Sequence, residues 1–448
     1  MIARRWLEVV FFAFVAALAS HQIFDPDFWL HLAAGQRMWE TGAVLRTNTF
    51  SFTHPDHPWT NVYWLYQLAL SAAWQAAGPT GIVALRLVLA LTLAALVVYG
   101  FRDGRAPLTA GELAVLLLTW PLLAPRLTER PELVSFVLLA ATLALARRGR
   151  WWWAVPLQLI WANSQGYFVW QPVVLALAAV SEWAAGRRRA AGSAALAAAV
   201  SAALTMVSPF GWRNPQLALE FGRTMRWFGG VVEELVSPFH PLARATDGTG
   251  WWLVVVLVAA GVVGYRRRAT LTLLDWLPAL ATLPLALTVR RAVPLFVICL
   301  LPGLWVTGFD SRRWRWLLTG VAAVLVAGFY RGEREWGWQV RTDAALPGAA
   351  AFLRELPAEA RVLNTAFHTG GWLAAHGRAV FVDGRLEAYP VEFLRGYLAT
   401  TDGFAALAEK YRITHLWQTG PTRAVAPPGW PVVYEDAWVT VRGASLAK

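Results

Sequence analysis

Asp25-Pro26-Asp27-Phe28-Trp29-Leu30-His31 follows directly on a long apolar run, residues 6–24, and opens a polar segment that continues to about Tyr63. Two acids and a histidine therefore stand at the edge of an apolar stretch. At the water boundary of a bilayer such groups are tolerated at modest free-energy cost, and apolar neighbours such as Phe28 and Trp29 move their pKa values, a setting suited to acid/base work. The alternative reading is structural, with Asp25 and Asp27 as acids at a helix N-terminus and Trp29 and Trp39 as interfacial anchors.

The rest of the chain explains why a membrane edge is the right setting. Of 448 residues, 57% are hydrophobic and only 15% charged, too apolar for one soluble core. Apolar runs lie at 6–24, 80–101, 112–124, 131–147, 151–165, 168–185, 191–208, 250–265, 271–289, 292–308 and 314–330, with a shorter one at 64–77. The formal charge of +12 comes mostly from arginines clustered between those runs, a mark of membrane topology rather than of a nucleic-acid partner. Cys299 is the only cysteine, so neither an intramolecular disulfide nor a cysteine metal cluster can form. Residues 6–24 contain Glu8 and His21 and lack a small-residue cleavage site, so they read as a retained first span.

Arg4/Arg5, Arg102/Arg105, Arg147/Arg148/Arg150, Arg187/Arg188/Arg189, Arg266/Arg267/Arg268 and Arg312/Arg313/Arg315 all fall on the cytoplasmic side if 64–77 is a re-entrant or interfacial helix. The expected architecture is a helical bundle of about eleven full spans plus that short helix. The N-terminus is then cytoplasmic. Residues 1–335 form the transmembrane domain, with outer loops at 25–79 and 209–249, and 340–448 form a small extracytoplasmic α/β domain.

In this topology Arg126, Arg130, Arg290 and Arg291 lie on the outer side, against the usual bias. Each pair sits at a span end beside a proline, Pro125 and Pro131 in one case and Pro294 in the other. A guanidinium binds phosphate bidentately, so these are candidate phosphate ligands; the alternative is pairing with Glu129, Glu132 or lipid headgroups. Asn163-Ser164-Gln165-Gly166-Tyr167 makes a polar break between two runs. There Asn163, Gln165 and Tyr167 are suited to holding sugar hydroxyls, or simply to forming a turn. Glu233 and Glu234 in the 209–249 loop are runner-up acids, a solvated acidic face being the other reading.

From about Thr342 the pattern becomes that of an α/β module: helices near 347–356, 370–376, 391–399 and 403–410, strands near 360–364, 379–382, 413–418, 431–435 and 437–442. Asp383, Arg385, Glu387 and Tyr389 follow a strand end, where open α/β sheets place ligands; a local Asp383–Arg385 ion pair fixing the turn is the simpler reading. Asn364 and His368-Thr369-Gly370-Gly371 suggest a loop able to cradle an anion, though two glycines carry little weight.

The motif at 25–32 with Gly35, Thr49-Phe50-Ser51-Phe52-Thr53, Trp59 and Trp64-Leu65, followed by Arg130-Pro131, Asn163 with Gly166, Pro209-Phe210-Gly211-Trp212, Arg290-Arg291 and Val382-Asp383-Gly384-Arg385, resembles bacterial multi-pass proteins of the GT-C glycosyltransferase type. The resemblance implies an inverting enzyme of the cytoplasmic (inner) membrane that moves a sugar from a polyprenyl-phosphate-linked donor to a glycan, lipid or protein acceptor at the outer face. It further implies Asp27 or Asp25 as the general base, Arg290, Arg291, Arg130 and Arg126 on the donor phosphate, and His31, Trp64, Asn163, Gln165 and Tyr167 around the substrates. Asp27 is favoured because it precedes His31 by four residues, which puts both on one helical face. Gln165 stands where a histidine is expected and no plain Asp/Glu pair supports metal ligation, so no cofactor is assigned and divalent-cation use stays open. The alternative function is a non-catalytic membrane protein that binds a lipid-linked or polysaccharide intermediate. A transporter is disfavoured because no ionisable residues lie well inside several spans, as a proton or ion relay requires, and no clear internal repeat is evident.

Overall fold

The computed structural model describes residues 5–102, 106–217, 220, 233–246, 248–305, 310–331, 334–399, 404–419 and 426–443. The chain separates into two compact units, one of Met1–His21 with Val83–Gly337, the other of Gln22–Ile82 with Trp338–Lys448. This division differs from the expected 1–335 and 340–448, because the segment expected to be the first outer loop joins the C-terminal segment through backbone pairing. The Ile23 N–H donates to the Gln339 carbonyl at 2.9 Å, Phe52 N–H to Val380 O at 3.0 Å and Val380 N–H to Phe50 O at 2.8 Å.

The first unit is helical, and a helix occupies each of its expected apolar runs. Trp6–Leu18, Ala110–Thr119, Glu132–Arg147, Trp170–Ala184, Arg188–Leu204, Thr249–Arg267, Leu277–Thr288, Val293–Leu304 and Arg312–Phe329 are α-helices. The 151–165 run is broken into Trp151–Ala154 and Leu157–Ala162 around Pro156. Every residue of Val293–Leu304 is buried, as a helix apolar on all sides should be, and Leu295, Phe296 and Ile298 pack in the core with Phe11, Leu116, Trp120 and Leu139. Trp64–Gly100, Gly166–Ala184 and Thr249–Arg267 are long and apolar enough to cross a membrane; Trp6–Leu18, Ala110–Leu122 and Leu273–Thr288 are shorter apolar helices. Large apolar side chains such as Trp153, Val258 and Val324 point outward. This is the pattern of a membrane protein.

The helical run from Trp64 to Ala95 is interrupted at Ala77 and Gly78, where Gly78 takes a φ of +57° just before Pro79. Glycine alone adopts that conformation cheaply, and the interruption separates the short 64–77 run from the long one after it. The unit boundary falls a few residues later, at Ile82.

The second unit holds a four-stranded sheet, β1 (Val362–Asn364), β2 (His415–Thr419), β3 (Val432–Glu435) and β4 (Val439–Gly443), in the order β1-β2-β4-β3. β1 and β2 are parallel with Leu363 opposite Leu416; β2 and β4 are antiparallel with Trp417 opposite Val441. Helices Pro347–Glu355, Phe367–Ala375, Val391–Leu398 and Ala405–Tyr411 accompany it, and Leu353, Trp372, Leu373, Val380, Trp417 and Val441 form its core. The strand expected at 379–382 is reduced to single bridges at Val380, one to Val362 and one to Ser51 of the outer loop.

The expected anion-cradling loop at His368-Thr369-Gly370-Gly371 is instead part of helix Phe367–Ala375. Its glycines serve close packing. A Cβ on Gly370 would lie 2.1 Å from the Val382 carbonyl oxygen, and one on Gly371 would lie 2.9 Å from the Leu30 Cβ, so helix Phe28–Thr41 seats directly on this helix.

Candidate functional site

Three of the four arginines expected on the outer side, Arg126, Arg130 and Arg291, gather within the helical unit. Arg126 ends a short 3-10 turn, Ala124–Arg126, and Arg130 precedes Pro131, which caps helix Glu132–Arg147. The two prolines hold this corner in a compact shape, so both guanidiniums reach one carboxylate. Arg126 pairs with one Glu234 carboxylate oxygen and Arg130 with the other, each at 3.0 Å. Arg291 pairs through Nε with Glu132. The segment carrying Glu234 is fastened to the turn before Arg291, since the Arg290 N–H donates to Val236 O at 2.8 Å and Ser237 Oγ to Leu287 O at 2.7 Å.

The charges act on one another. Burial opposes ionisation of Glu234, but Arg130, Arg126 and Arg291 outweigh it and hold its carboxyl well below the usual carboxylate range. Tyr167 lies within electrostatic range of Arg291, Glu132, Arg126 and Glu234. Glu234 is therefore no solvated acidic face. The side chain of Glu233 lies outside the described residues.

In the second unit, Asp25 is buried and its Oδ1 accepts the Asp27 N–H at 3.0 Å, a tight Asx turn before helix Phe28–Thr41. Asp27 occupies the N-cap position without a capping hydrogen bond from its side chain. Its Oδ1 instead lies against the C-terminal turn, 3.3 Å from where a Cβ of Gly384 would be. The His31 N–H bonds the Asp27 carbonyl at 3.1 Å. His31 Nδ1 faces the Gln67 amide nitrogen at 3.2 Å, and Asn61 donates to Gln67 Oε1 at 2.7 Å. An amide nitrogen only donates, so in this contact His31 Nδ1 is placed as the acceptor.

Asp383 and Arg385 form the expected local pair, with Arg385 Nη2 2.5 Å from Asp383 Oδ2, but the pair reaches further. Arg385 also donates to Asn48 Oδ1 at 2.5 Å and lies 4.5 Å over the Trp59 ring, while Tyr389 Oη donates to Asp383 at 3.0 Å. The Glu387 carboxyl is pushed up by burial and accepts the Trp59 N–H at 3.2 Å. Loop-one residues and the Asp383-Gly384-Arg385 turn are thus one packed assembly. Among the described residues no three His, Cys, Asp or Glu side chains come together as metal ligands.

No family model matches the chain, and no curated protein matches it. Among solved structures, the crystal structure of ArnT from Cupriavidus metallidurans bound to undecaprenyl phosphate matches over 99% of this chain and 98% of that one, with a TM-score of 0.57 at 13% identity. The fold is GT-C-like. At this identity the likeness is one of architecture, and it agrees with the resemblance seen in the motif order.

Within the GT-C-like fold, the polar break is satisfied internally. Asn163 Nδ2 donates to Leu159 O at 2.7 Å and Val207 O at 2.9 Å, while Gln165 Oε1 accepts from Ser135 Oγ at 2.7 Å and from the Tyr167 N–H at 2.5 Å. These contacts are those of the turn-forming alternative. Trp64 begins the helix ending at the Gly78 interruption.

One buried group escaped the sequence reading. Arg86 is 1% exposed and bonds Glu129 at 2.6 Å, Ala19 O at 2.9 Å and His21 Nδ1 at 3.2 Å, and it also reaches the His21 carbonyl. Glu129, one of the alternative partners weighed for the arginines near the span ends, pairs with Arg86. The signal was a lone arginine inside the 80–101 run, where an ionisable residue needs a partner.

Proposed function

We propose that this chain is an inverting membrane glycosyltransferase that moves a sugar from a polyprenyl-phosphate-linked donor to an acceptor hydroxyl at the outer face of the cytoplasmic membrane. The observation that carries this reading is the convergence of Arg126, Arg130 and Arg291 at one place in a GT-C-like fold. Likeness to a protein solved with undecaprenyl phosphate supports a polyprenyl phosphate as the lipid. Displacement at the anomeric carbon leaves charge on the departing phosphate, and guanidiniums stabilise that charge. The same step needs a base for the acceptor hydroxyl. Asp27 is the favoured base, four residues before His31 and on the same helical face, and Asp25 is the runner-up. His31, positioned by Gln67 on the helix that Asp27 opens, is a candidate substrate contact.

Two measurements test this reading. Arg126→Gln and Arg130→Gln each remove a charge-assisted hydrogen bond to phosphate and should weaken undecaprenyl phosphate binding by about tenfold or more. Asp27→Asn should abolish transfer from lipid-linked sugars over a panel of acceptors while leaving that binding intact. Binding that depends on the arginines with no turnover of any donor by the wild-type protein would favour the non-catalytic carrier reading. Full activity in both Asp25→Asn and Asp27→Asn would remove loop one from the mechanism.

A further inference from the structure

Arg126 and Arg130 are not presented bare to an incoming anion. Glu234 bridges them, one carboxylate oxygen to each guanidinium at 3.0 Å. A carboxylate and a phosphate offer arginine the same thing, a pair of anionic oxygens a little over two ångströms apart that two N–H donors can share. The arginines are therefore set as a fork for an oxyanion and filled by one from the chain itself. The Glu234 side chain is 30% exposed against 12% for Arg126 and 9% for Arg130, so Glu234 is the more open member of each pair.

The filling is also held in place. Leu235 and Val236 are buried, the Arg290 N–H bonds Val236 O, and Ser237 Oγ bonds Leu287 O. This anchoring keeps the local concentration of the Glu234 carboxylate at the fork high, in the way a short tether does. Glu132, which takes Arg291, is the contrasting case: its side chain is 2% exposed, beneath its arginine, and cannot stand between the arginine and a ligand in the same manner.

We infer that Glu234 is an internal stand-in for the phosphate, a displaceable carboxylate that occupies the Arg126–Arg130 fork and has to be driven off by a phosphate monoester. This rests on the reading of those arginines as the donor-phosphate subsite. The consequence is selectivity by charge. A singly charged phosphodiester, as in a lipid-linked sugar, gains little by replacing a singly charged tethered carboxylate. The doubly charged monoester that forms as the sugar leaves competes far better. The fork then responds most strongly to charge that develops in the transition state, which is where binding accelerates a reaction. Return of Glu234 would assist release of the spent lipid.

The test measures undecaprenyl phosphate binding to full-length protein in detergent for the wild type, Glu234→Gln and Arg126→Gln/Arg130→Gln, with undecaprenol as the uncharged control and Glu234→Ala alongside in case one variant folds poorly. Losing two partly exposed ion pairs that compete with the ligand should tighten undecaprenyl phosphate binding by about tenfold in Glu234→Gln. The gain should vanish in a third variant that adds Glu234→Gln to Arg126→Gln/Arg130→Gln, and undecaprenol binding should not change. Equal or weaker binding in Glu234→Gln and Glu234→Ala, with the arginine variants still defective, would overturn the stand-in role and leave the phosphate subsite intact. A gain with undecaprenol would reduce the effect to packing and overturn it too. Arginine variants that bind like wild type would remove the subsite and this inference together.

Discussion

Replacing Arg385 by Ala should loosen the outer loop from the C-terminal turn, and the structure sets the size of the effect. The Arg385 side chain is 3% exposed and its partner Asp383 is 0% exposed. Two of its N–H groups reach Asp383, at 2.9 and 2.5 Å, one reaches Asn48 at 2.5 Å, and the guanidinium lies 4.5 Å over Trp59 and 5.0 Å over Phe50. Removal leaves Asp383 with the Arg385 backbone N–H at 2.9 Å and the Tyr389 hydroxyl at 3.0 Å. Breaking one side of a buried pair costs about 3–5 kcal/mol, and the lost contacts to Asn48 and the rings overlap with that figure rather than adding to it. For a unit of roughly 170 residues, with about 2–4 °C of melting temperature per kcal/mol, the expected drop is about 6–20 °C. Hydrogen exchange on peptides covering 46–61 and 380–389, followed with temperature in detergent, reads it locally. Asp383→Asn added to Arg385→Ala should recover part of the loss by removing the stranded charge. Exchange and melting within about 1 °C of wild type in the single variant would refute the argument.

Two further outcomes follow from the second unit. Gly371→Leu places a side chain where a Cβ alone is 2.9 Å from the Leu30 Cβ, so it should destabilise the seat of helix Phe28–Thr41 by at least about 1–3 kcal/mol, seen as faster exchange across 25–41; unchanged exchange would show that the helices part without penalty. Burial raises the Glu387 carboxyl in the folded state, with the Trp59 N–H and Arg385 opposing, so its stabilising contribution is complete below the unfolded carboxyl pKa and is lost as pH rises through the raised value. Glu387→Gln keeps an acceptor for Trp59 without that loss and should therefore gain melting temperature relative to wild type as pH goes from about 4 to 7; a constant difference over that range would count against it.

Features set by local chemistry were legible in the sequence. Each long apolar run of the helical unit became helix because a run of Leu, Ala and Val between charged clusters has few other ways to satisfy its backbone. The Ala77–Gly78 interruption is visible as Gly-Pro after a short run. Long-range pairing was not legible. Glu129 and Glu132 were the acids weighed as partners for Arg126, Arg130, Arg290 and Arg291, and nothing local distinguishes Glu234, which is 104 residues from Arg130, from a solvated acid. Arg86 was overlooked because its partner lies 43 residues away.

The Asp27 region shows how the two kinds of information combine. Read locally, Asp27 is a helix N-cap, and its position does immediately precede Phe28 at the helix start. A capping role, however, requires the side chain to accept an N–H of the first turn, and here it does not; Asp25 makes the Asx turn that orders the entry instead. The Asp27 carboxylate lies beside Gly384, whose neighbours Asp383 and Arg385 are locked by Asn48, Trp59 and Tyr389. A residue larger than glycine at 384 would press on the carboxylate, and a loosened Arg385 would let the turn drift. The C-terminal segment therefore bears directly on the acid that the proposed chemistry needs. A stability defect at Arg385 and a transfer defect at Asp27 should appear together in Arg385→Ala, with undecaprenyl phosphate binding, which depends on the other unit's arginines, left as in wild type.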